Sequence, residues 1–274
     1  MKSLNSNDIF VNHYPKEVTR TPIKGNVRRQ AGQSAREWLN EFVDDEALLA
    51  VIPLFFMLWW LIIELSHRYS KHLTPLWLIG SFLVLSVANL LYRIRRIRSK
   101  AKQMKQGIFG ERYVAQIIDR DLVPKGYKVF HDIVINKDKR QFNIDHLLIG
   151  PNGVFSIETK TWSKPIRGET LATFDGEFIS LNDKVRQPNT IGQANALAKE
   201  ASELIKKQTG LTINVIPVVV VVGWYVRKTC SGFPKVLVVN EEAMAAFIQN
   251  VQGTISERDI ALIVEKITEE NKAH

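Results

Sequence analysis

The sequence predicts a mixed α/β sheet domain flanked by helices and preceded by two membrane-spanning helices, and three observations lead to this fold class. Residues 47–63 and 73–92 are uncharged apolar runs of 17 and 20 residues. Residues 107–270 alternate amphipathic helical patterns with short β-branched runs, as a sheet flanked by helices does. Within them, residues 142–160 form two apolar runs around the turn sequence Gly150-Pro151-Asn152-Gly153, which predicts a β-hairpin.

The two uncharged runs predict a transmembrane helical hairpin over residues 47–92. A helix of 17 residues spans about 26 Å, near the lower limit for crossing a bilayer, and the second run is longer. One such run could be a buried core helix, but two in tandem with a short connection favour a membrane hairpin. The connection carries only Arg68 and Lys71, whereas seven Lys and Arg residues follow the second run within residues 93–106. The positive-inside rule therefore predicts that both termini are cytoplasmic.

Residues 1–46 are predicted to be a polar tail that ends in a candidate amphipathic helix. Apolar residues recur at helical spacing within residues 31–45, with Trp38, Leu39 and Phe42 among them. This helix could lie on the membrane surface or simply extend the first apolar run.

The basic charge of the chain is concentrated outside the predicted sheet domain. The chain has 37 Lys+Arg and 28 Asp+Glu; residues 1–106 hold 16 and 8 of these, and residues 107–274 hold 21 and 20. The predicted juxtamembrane linker, residues 93–106, would be attracted to anionic lipid headgroups, or would act as an arm that contacts DNA. Cys230 is the only cysteine, so no disulfide forms within the chain. We expect an integral membrane protein, with a bacterial inner membrane as the expected location.

The predicted hairpin brings charged residues together at one end of the sheet. If the strands pair about the midpoint of Pro151 and Asn152, opposed residue numbers sum to 303, so that Asp145 lies across from Glu158. Glu158 and Lys160 share a face because side chains alternate along a strand. Two close carboxylates repel each other unless a cation lies between them, and a hard divalent cation such as Mg²⁺ suits oxygen ligands. The alternative is an ordinary Glu–Lys ion pair on a surface strand.

The spacing D-x12-E-x-K resembles the signature of the PD-(D/E)XK nuclease superfamily. The order of the surrounding motifs is more specific. Gly107-x-x-Gly110-Glu111 precedes the hairpin sequence IDHLLIGPNGVFSIETK, and Gln187-Pro188, Gln193 and Gly223-Trp224 follow it. This order is similar to the NERD (nuclease-related) domain, over about residues 107–270.

The resemblance implies a restriction-endonuclease-like core and a divalent metal, Mg²⁺ or Mn²⁺. It implies that Asp145, Glu158 and the backbone carbonyl of Thr159 bind the metal, and that Lys160 positions or activates the attacking water. Glu111, on the first helix of the domain, would assist at the metal. Gln193 would fill the polar position at the start of a later helix.

These features support three hypotheses. The first is a membrane-anchored, cytoplasm-facing, metal-dependent nuclease that acts on nucleic acid, with DNA as the favoured substrate. The second is a non-catalytic, membrane-tethered module that binds nucleic acid or a protein. The third is a structural membrane protein that forms a homo-oligomer through the transmembrane helical hairpin.

Overall fold

A computed structural model describes residues 29–66, 75–137, 140–165, 167–232 and 234–273, and it confirms the mixed α/β fold with two preceding apolar helices. The helices are α1 Gln33–Ser66, α2 Leu76–Asp121, α3 Thr190–Thr209, α4 Glu241–Gln249 and α5 Glu257–Ala273. The strands are β1 Lys128–Lys137, β2 Arg140–Gly150, β3 Gly153–Lys160, β4 Leu171–Phe174, β5 Ile179–Leu181, β6 Val185–Gln187, β7 Val215–Val221, β8 Tyr225–Lys228 and β9 Leu237–Asn240.

The main sheet has the strand order β1-β2-β3-β7-β9 and is covered on both faces. Strands β1, β2 and β3 are antiparallel, whereas β7 runs parallel to both β3 and β9. Helices α2 and α4 pack on one face, and α3 and α5 pack on the other. This explains the uninterrupted valine run of β7, because a strand buried on both faces has no solvent-facing positions.

A second sheet, of order β6-β5-β4-β8, follows the C-terminal ends of β3 and β7. The chain enters it shortly after Lys160 and again after Val222, whose N–H donates a 2.9 Å hydrogen bond to the Lys160 carbonyl. Phe174 and Ile179 of this sheet pack with Trp224, which is only 3% exposed. The second sheet therefore adjoins the end of β3 that carries the predicted site.

The register of the predicted hairpin is confirmed. Every pair from Gly150–Gly153 to His146–Ile157 sums to 303 and encloses the two-residue loop Pro151-Asn152. The loop is fixed to α4 because the Asn152 side-chain amide donates to the carbonyl of Gln249 at 2.8 Å. The next opposed positions along the strands are those of Asp145 and Glu158.

The two N-terminal helices lie antiparallel, and each is long and apolar enough to cross a membrane. The most apolar windows of α1 and α2 have mean hydropathies of 2.4 and 1.6, and only 11% and 6% of these windows are buried in the protein. The predicted runs 47–63 and 73–92 fall within these helices, except that residues 73 and 74 lie outside the described residues. The tail before Arg29 and residues 67–74, with Arg68 and Lys71, also lie outside them.

The predicted linker, residues 93–106, is helical. It forms the middle of α2, which has 46 residues and continues without a break on both sides of it. Gly107 therefore lies in the interior of this helix and does not begin one. Residues 33–46 form the first part of α1. This segment therefore extends the helix of the first apolar run and is not a separate amphipathic helix. We call residues 33–46 and 93–106 the stalk. Its contacts are Glu46–Arg93 at 2.6 Å, Glu46–Arg96 at 3.0 Å, Arg96 over Phe42 at 5.9 Å and Lys100 over Trp38 at 5.5 Å.

Candidate functional site

The hairpin places Asp145, in the middle of β2, beside Glu158 and Lys160 at the C-terminal end of β3. The backbone N–H of Thr159 donates to Asp145 Oδ2 at 2.7 Å, and Lys160 Nζ lies 2.6 Å from Glu158 Oε1. Asp145 and Glu158 are 8% and 4% exposed, so this is a buried pair of carboxylates and not a surface ion pair. The arrangement follows from the register, which aligns the two acidic positions across the strands.

Gln193 joins this group from the first turn of α3. Its side-chain nitrogen donates to Glu158 Oε1 at 2.8 Å, and its side-chain oxygen accepts from Lys160 Nζ at 3.1 Å. Gln187 of the Gln187-Pro188 motif ends strand β6, and the helix begins three residues later at Thr190. Asn189, in the left-handed region at φ 68°, separates the strand from the helix.

Glu111 projects from α2 into the electrostatic environment of the same group. Burial, with repulsion from Asp132 and Glu158, raises the pKa of Glu111 from 4.5 to about 7, although Lys160 and the Gly32 N–H act in the opposite direction. Burial also raises the pKa of Asp145 well above its usual range, and repulsion from Glu158 and Glu111 adds to this. Each carboxyl therefore resists ionisation in the absence of further positive charge.

The unpaired oxygens of the site fit a hard divalent cation. Among the described residues, Glu111 Oε2 and Glu158 Oε2 are buried and have no hydrogen-bond partner. No three His, Cys, Asp or Glu side chains of those residues converge as a complete set of metal ligands. Mg²⁺ does not require such a set, since it keeps several waters and commonly uses one or two carboxylates. Asp145 and Glu158, with the Thr159 carbonyl and with Glu111 in support, therefore suit Mg²⁺ or Mn²⁺.

Asp132 is a neighbour of this site whose partners the sequence did not reveal. It is fully buried, and its carboxylate accepts hydrogen bonds from Arg29, Ser34 and Asn143. Arg29 and Ser34 lie 103 and 98 positions away in the chain, so no local pattern could have indicated the contact. The only local signal is that Asp132 is an acidic residue within a strand.

The fold and these side chains define a mixed α/β domain with a carboxylate–lysine–glutamine site at the end of a β-hairpin. Residues 106–222 match the family model of the NERD domain, described as the nuclease-related domain. This part of the chain is thus similar to the nuclease-related domain, in agreement with the resemblance drawn from the sequence. The matched segment contains Glu111, Asp145, Glu158, Lys160 and Gln193, and it begins at the last residue of the stalk. No curated protein matches the chain.

Proposed function

We propose that this protein is a membrane-anchored, cytoplasm-facing, divalent-metal-dependent nuclease with DNA as the favoured substrate. The observation that carries the proposal is the bonded group Glu158–Lys160–Gln193 beside two unpartnered, buried carboxylate oxygens. Asp145, Glu158 and the Thr159 carbonyl would hold Mg²⁺ or Mn²⁺, assisted by Glu111. When bound, the metal would polarise the scissile phosphate and make a coordinated water more acidic.

The protein side chains would position the reacting groups around that metal. The Thr159 N–H fixes one oxygen of Asp145 and leaves the other available. Lys160 has three ammonium protons, of which contacts with Glu158 and Gln193 use two. The third could be donated to the attacking water or to a phosphate oxygen. Gln193 contacts both Glu158 and Lys160, so it would hold the acid and the ammonium in one orientation.

Anchoring rests on the two apolar helices, which expose most of their apolar surface. The stalk continues these helices directly into the domain and presents exposed basic residues, among them Arg95, Arg98 and Lys102. Anionic headgroups on the cytoplasmic face would attract these side chains. This arrangement would keep the domain close to the membrane and on its cytoplasmic side.

Cleavage by the full-length protein in detergent tests the proposal. Plasmid, linear and single-stranded DNA and RNA would be incubated with Mg²⁺, Mn²⁺ or EDTA. We expect metal-dependent cleavage that Glu158→Gln lowers at least about 100-fold, a loss of about 2.7 kcal/mol of transition-state stabilisation. Glu269→Gln is the control, since Glu269 also bonds a lysine, at 2.8 Å, but on the surface. Equal rates for Glu158→Gln and wild type would refute the proposal.

Gln193 allows a second, more specific test, because α3 provides a matched control. Gln208 lies on the same helix and also donates its side-chain amide to a glutamate, Glu270, at 2.6 Å. We expect Gln193→Ala to lower the cleavage rate about tenfold, since Glu158 and Lys160 lose their common partner. Gln208→Ala should retain the wild-type rate. Initial rates at saturating metal would measure both, and equal losses in both variants would assign Gln193 a general structural role.

A non-catalytic binding module is the second candidate, and the near-neutral charge of the domain favours a protein partner over nucleic acid. The domain has 21 Lys+Arg against 20 Asp+Glu over residues 107–274, a weak field for holding a polyanion. A membrane-tethered module that binds nucleic acid or a protein would shift its target in electrophoresis without cleaving it in Mg²⁺ or Mn²⁺. That result would replace the nuclease proposal.

A further inference from the structure

We call residues 29–34 the strap. Residues 29–32 precede α1, and residues 33 and 34 begin it. The strap is bonded to Asp132 of β1. Arg29 Nε lies 2.8 Å from Asp132 Oδ2, and the same oxygen accepts from the backbone N–H and from the hydroxyl of Ser34, both at 3.0 Å. Asp132 is fully buried and has a left-handed backbone with φ 52°. A buried carboxylate needs such partners, and three of its hydrogen bonds come from the strap.

The strap backbone also lies directly against Glu111. Gly32 is buried and has φ +73°. A Cβ added at Gly32 would lie 3.1 Å from Ile108 Cγ2 and 3.4 Å from Glu111 Oε2. The strap therefore covers the carboxylate oxygen of Glu111 that has no hydrogen-bond partner among the described residues. Only a residue without a side chain combines this backbone conformation with so close an approach.

We propose that the strap is a positioning element of the candidate metal site: Arg29 and Ser34 fasten it to Asp132, and Gly32 holds the Glu111 carboxylate in place. The proposal rests on the proposed function only in that Glu111 assists at the metal. The strap lies outside residues 106–222, which match the nuclease-related domain. The proposed site of this chain therefore includes supporting residues that precede both apolar runs.

Two glycine variants separate positioning from general destabilisation without changing any charge. Gly210 has φ +74°, nearly the same as Gly32, but a Cβ added there meets no atom within 4 Å. Gly32→Ala and Gly210→Ala therefore introduce the same backbone strain, and only Gly32→Ala pushes the strap away from Ile108 and Glu111. Ser34→Ala is a milder second variant, since it removes one neutral donor to Asp132 and leaves the backbone unchanged.

The experiment uses the full-length protein in detergent, with Mn²⁺ affinity by calorimetry and amide hydrogen exchange of residues 107–121 as readouts. We expect Gly32→Ala to weaken Mn²⁺ binding about tenfold, as loss of a residue that supports a metal ligand commonly does. Exchange near Ile108 and Glu111 should become faster in Gly32→Ala and, to a smaller extent, in Ser34→Ala. Gly210→Ala should resemble the wild type in both readouts.

The outcomes distinguish this inference from the proposed function. Wild-type Mn²⁺ affinity and exchange in both Gly32→Ala and Ser34→Ala would overturn the strap proposal. Equal losses in Gly32→Ala and Gly210→Ala would overturn it too, because backbone strain alone would then explain them. If the wild-type protein binds no Mn²⁺ and cleaves nothing, the proposed function fails. Hydrogen exchange then decides the strap proposal by itself: faster exchange near Glu111 in Gly32→Ala alone supports it, and unchanged exchange refutes it.

Discussion

At the scale of residues, the candidate site is an acidic cluster with too little positive charge of its own. The cluster contains Glu111, Asp145 and Glu158. Asp132 lies beside it and repels the Glu111 carboxylate. Lys160 pairs with Glu158, and Arg29 pairs with Asp132. Four carboxylates against two cations leave an excess of two negative charges when all are ionised. One divalent cation would balance that excess, which is why the raised pKa values and the unpaired oxygens support the same proposal.

The raised pKa of Glu111 predicts that the metal-free protein loses stability as pH rises. A carboxyl with a pKa of 4.5 when unfolded and about 7 when folded binds its proton more tightly in the fold. Its contribution to stability is complete below pH 4.5 and is lost as pH rises towards 7 and beyond. Asp145, whose pKa is also raised, acts in the same direction. Glu111→Gln cannot ionise, so its thermal midpoint in EDTA should fall less than that of the wild type between pH 5 and 8.

The comparison with Glu111→Gln also removes the effect of the nearby histidines. Burial lowers the pKa of His131 and His146, which makes stability rise with pH in both proteins. The difference between the two melting curves therefore reports on Glu111. Mn²⁺ at pH 8 should raise the wild-type midpoint more than the same Mn²⁺ at pH 5, where protons compete for the ligands. Parallel curves for wild type and Glu111→Gln would contradict the assignment.

At the scale of elements, α2 connects the apolar hairpin to the site without interruption. Its N-terminal half contributes to the second apolar span, its middle forms the stalk, and its last turns carry Glu111 and pack on the sheet. Gly110 permits this packing, because a Cβ there would lie 1.9 Å from Thr161 Oγ1. The glycine before Glu111 therefore sets how closely the helix approaches the end of β3.

The two glycines of the Gly107-x-x-Gly110 motif should respond in opposite ways to alanine. Gly110→Ala forces α2 away from Thr161, and we expect a loss of about 1–3 kcal/mol in the free energy of unfolding, typical of overpacking. A Cβ at Gly107 meets no atom within 4 Å, so Gly107→Ala should stabilise the helix by about 0.5–1 kcal/mol. Chemical denaturation of the full-length variants measures both. A stable Gly110→Ala protein with wild-type activity would show that this close approach is dispensable.

The elements that could be predicted from the sequence are those with strong local signals. The Gly-Pro-Asn-Gly turn fixed the register, and the register brought Asp145 to Glu158. The short strands of the second sheet were harder, since β5 and β6 have three residues each and β8 has four. The strap could not be predicted, because Arg29 and Ser34 meet Asp132 only after the apolar hairpin returns the chain to the domain. Contacts between such distant residues have no periodic pattern in the sequence.

At the scale of the whole molecule, the stalk sets the distance between the apolar hairpin and the site. Fourteen helical residues, 93–106, extend about 21 Å. Residues 33–46 pack beside them, so that the stalk is a pair of helices and resists bending better than a single helix would. Glu46, which is only 5% exposed, pairs with Arg93 and Arg96 where the apolar run of α1 begins. The domain would therefore be held at a fixed distance from the membrane surface.

The proposed topology predicts which parts of the chain a membrane-impermeant maleimide can label in intact cells. The native thiol would first be removed by Cys230→Ser, since Cys230 is the only cysteine. Ser99→Cys introduces a thiol at an exposed position of the stalk, and Ser70→Cys introduces one in the segment between the two apolar runs. The excess of Lys and Arg in residues 93–106 predicts that the stalk lies on the cytoplasmic side. We expect Ser70→Cys to be labelled in intact cells, and Ser99→Cys to be labelled only after the membrane is permeabilised. Labelling of Ser99→Cys from outside would place the domain on the opposite side, and a cytoplasm-facing nuclease would then be ruled out.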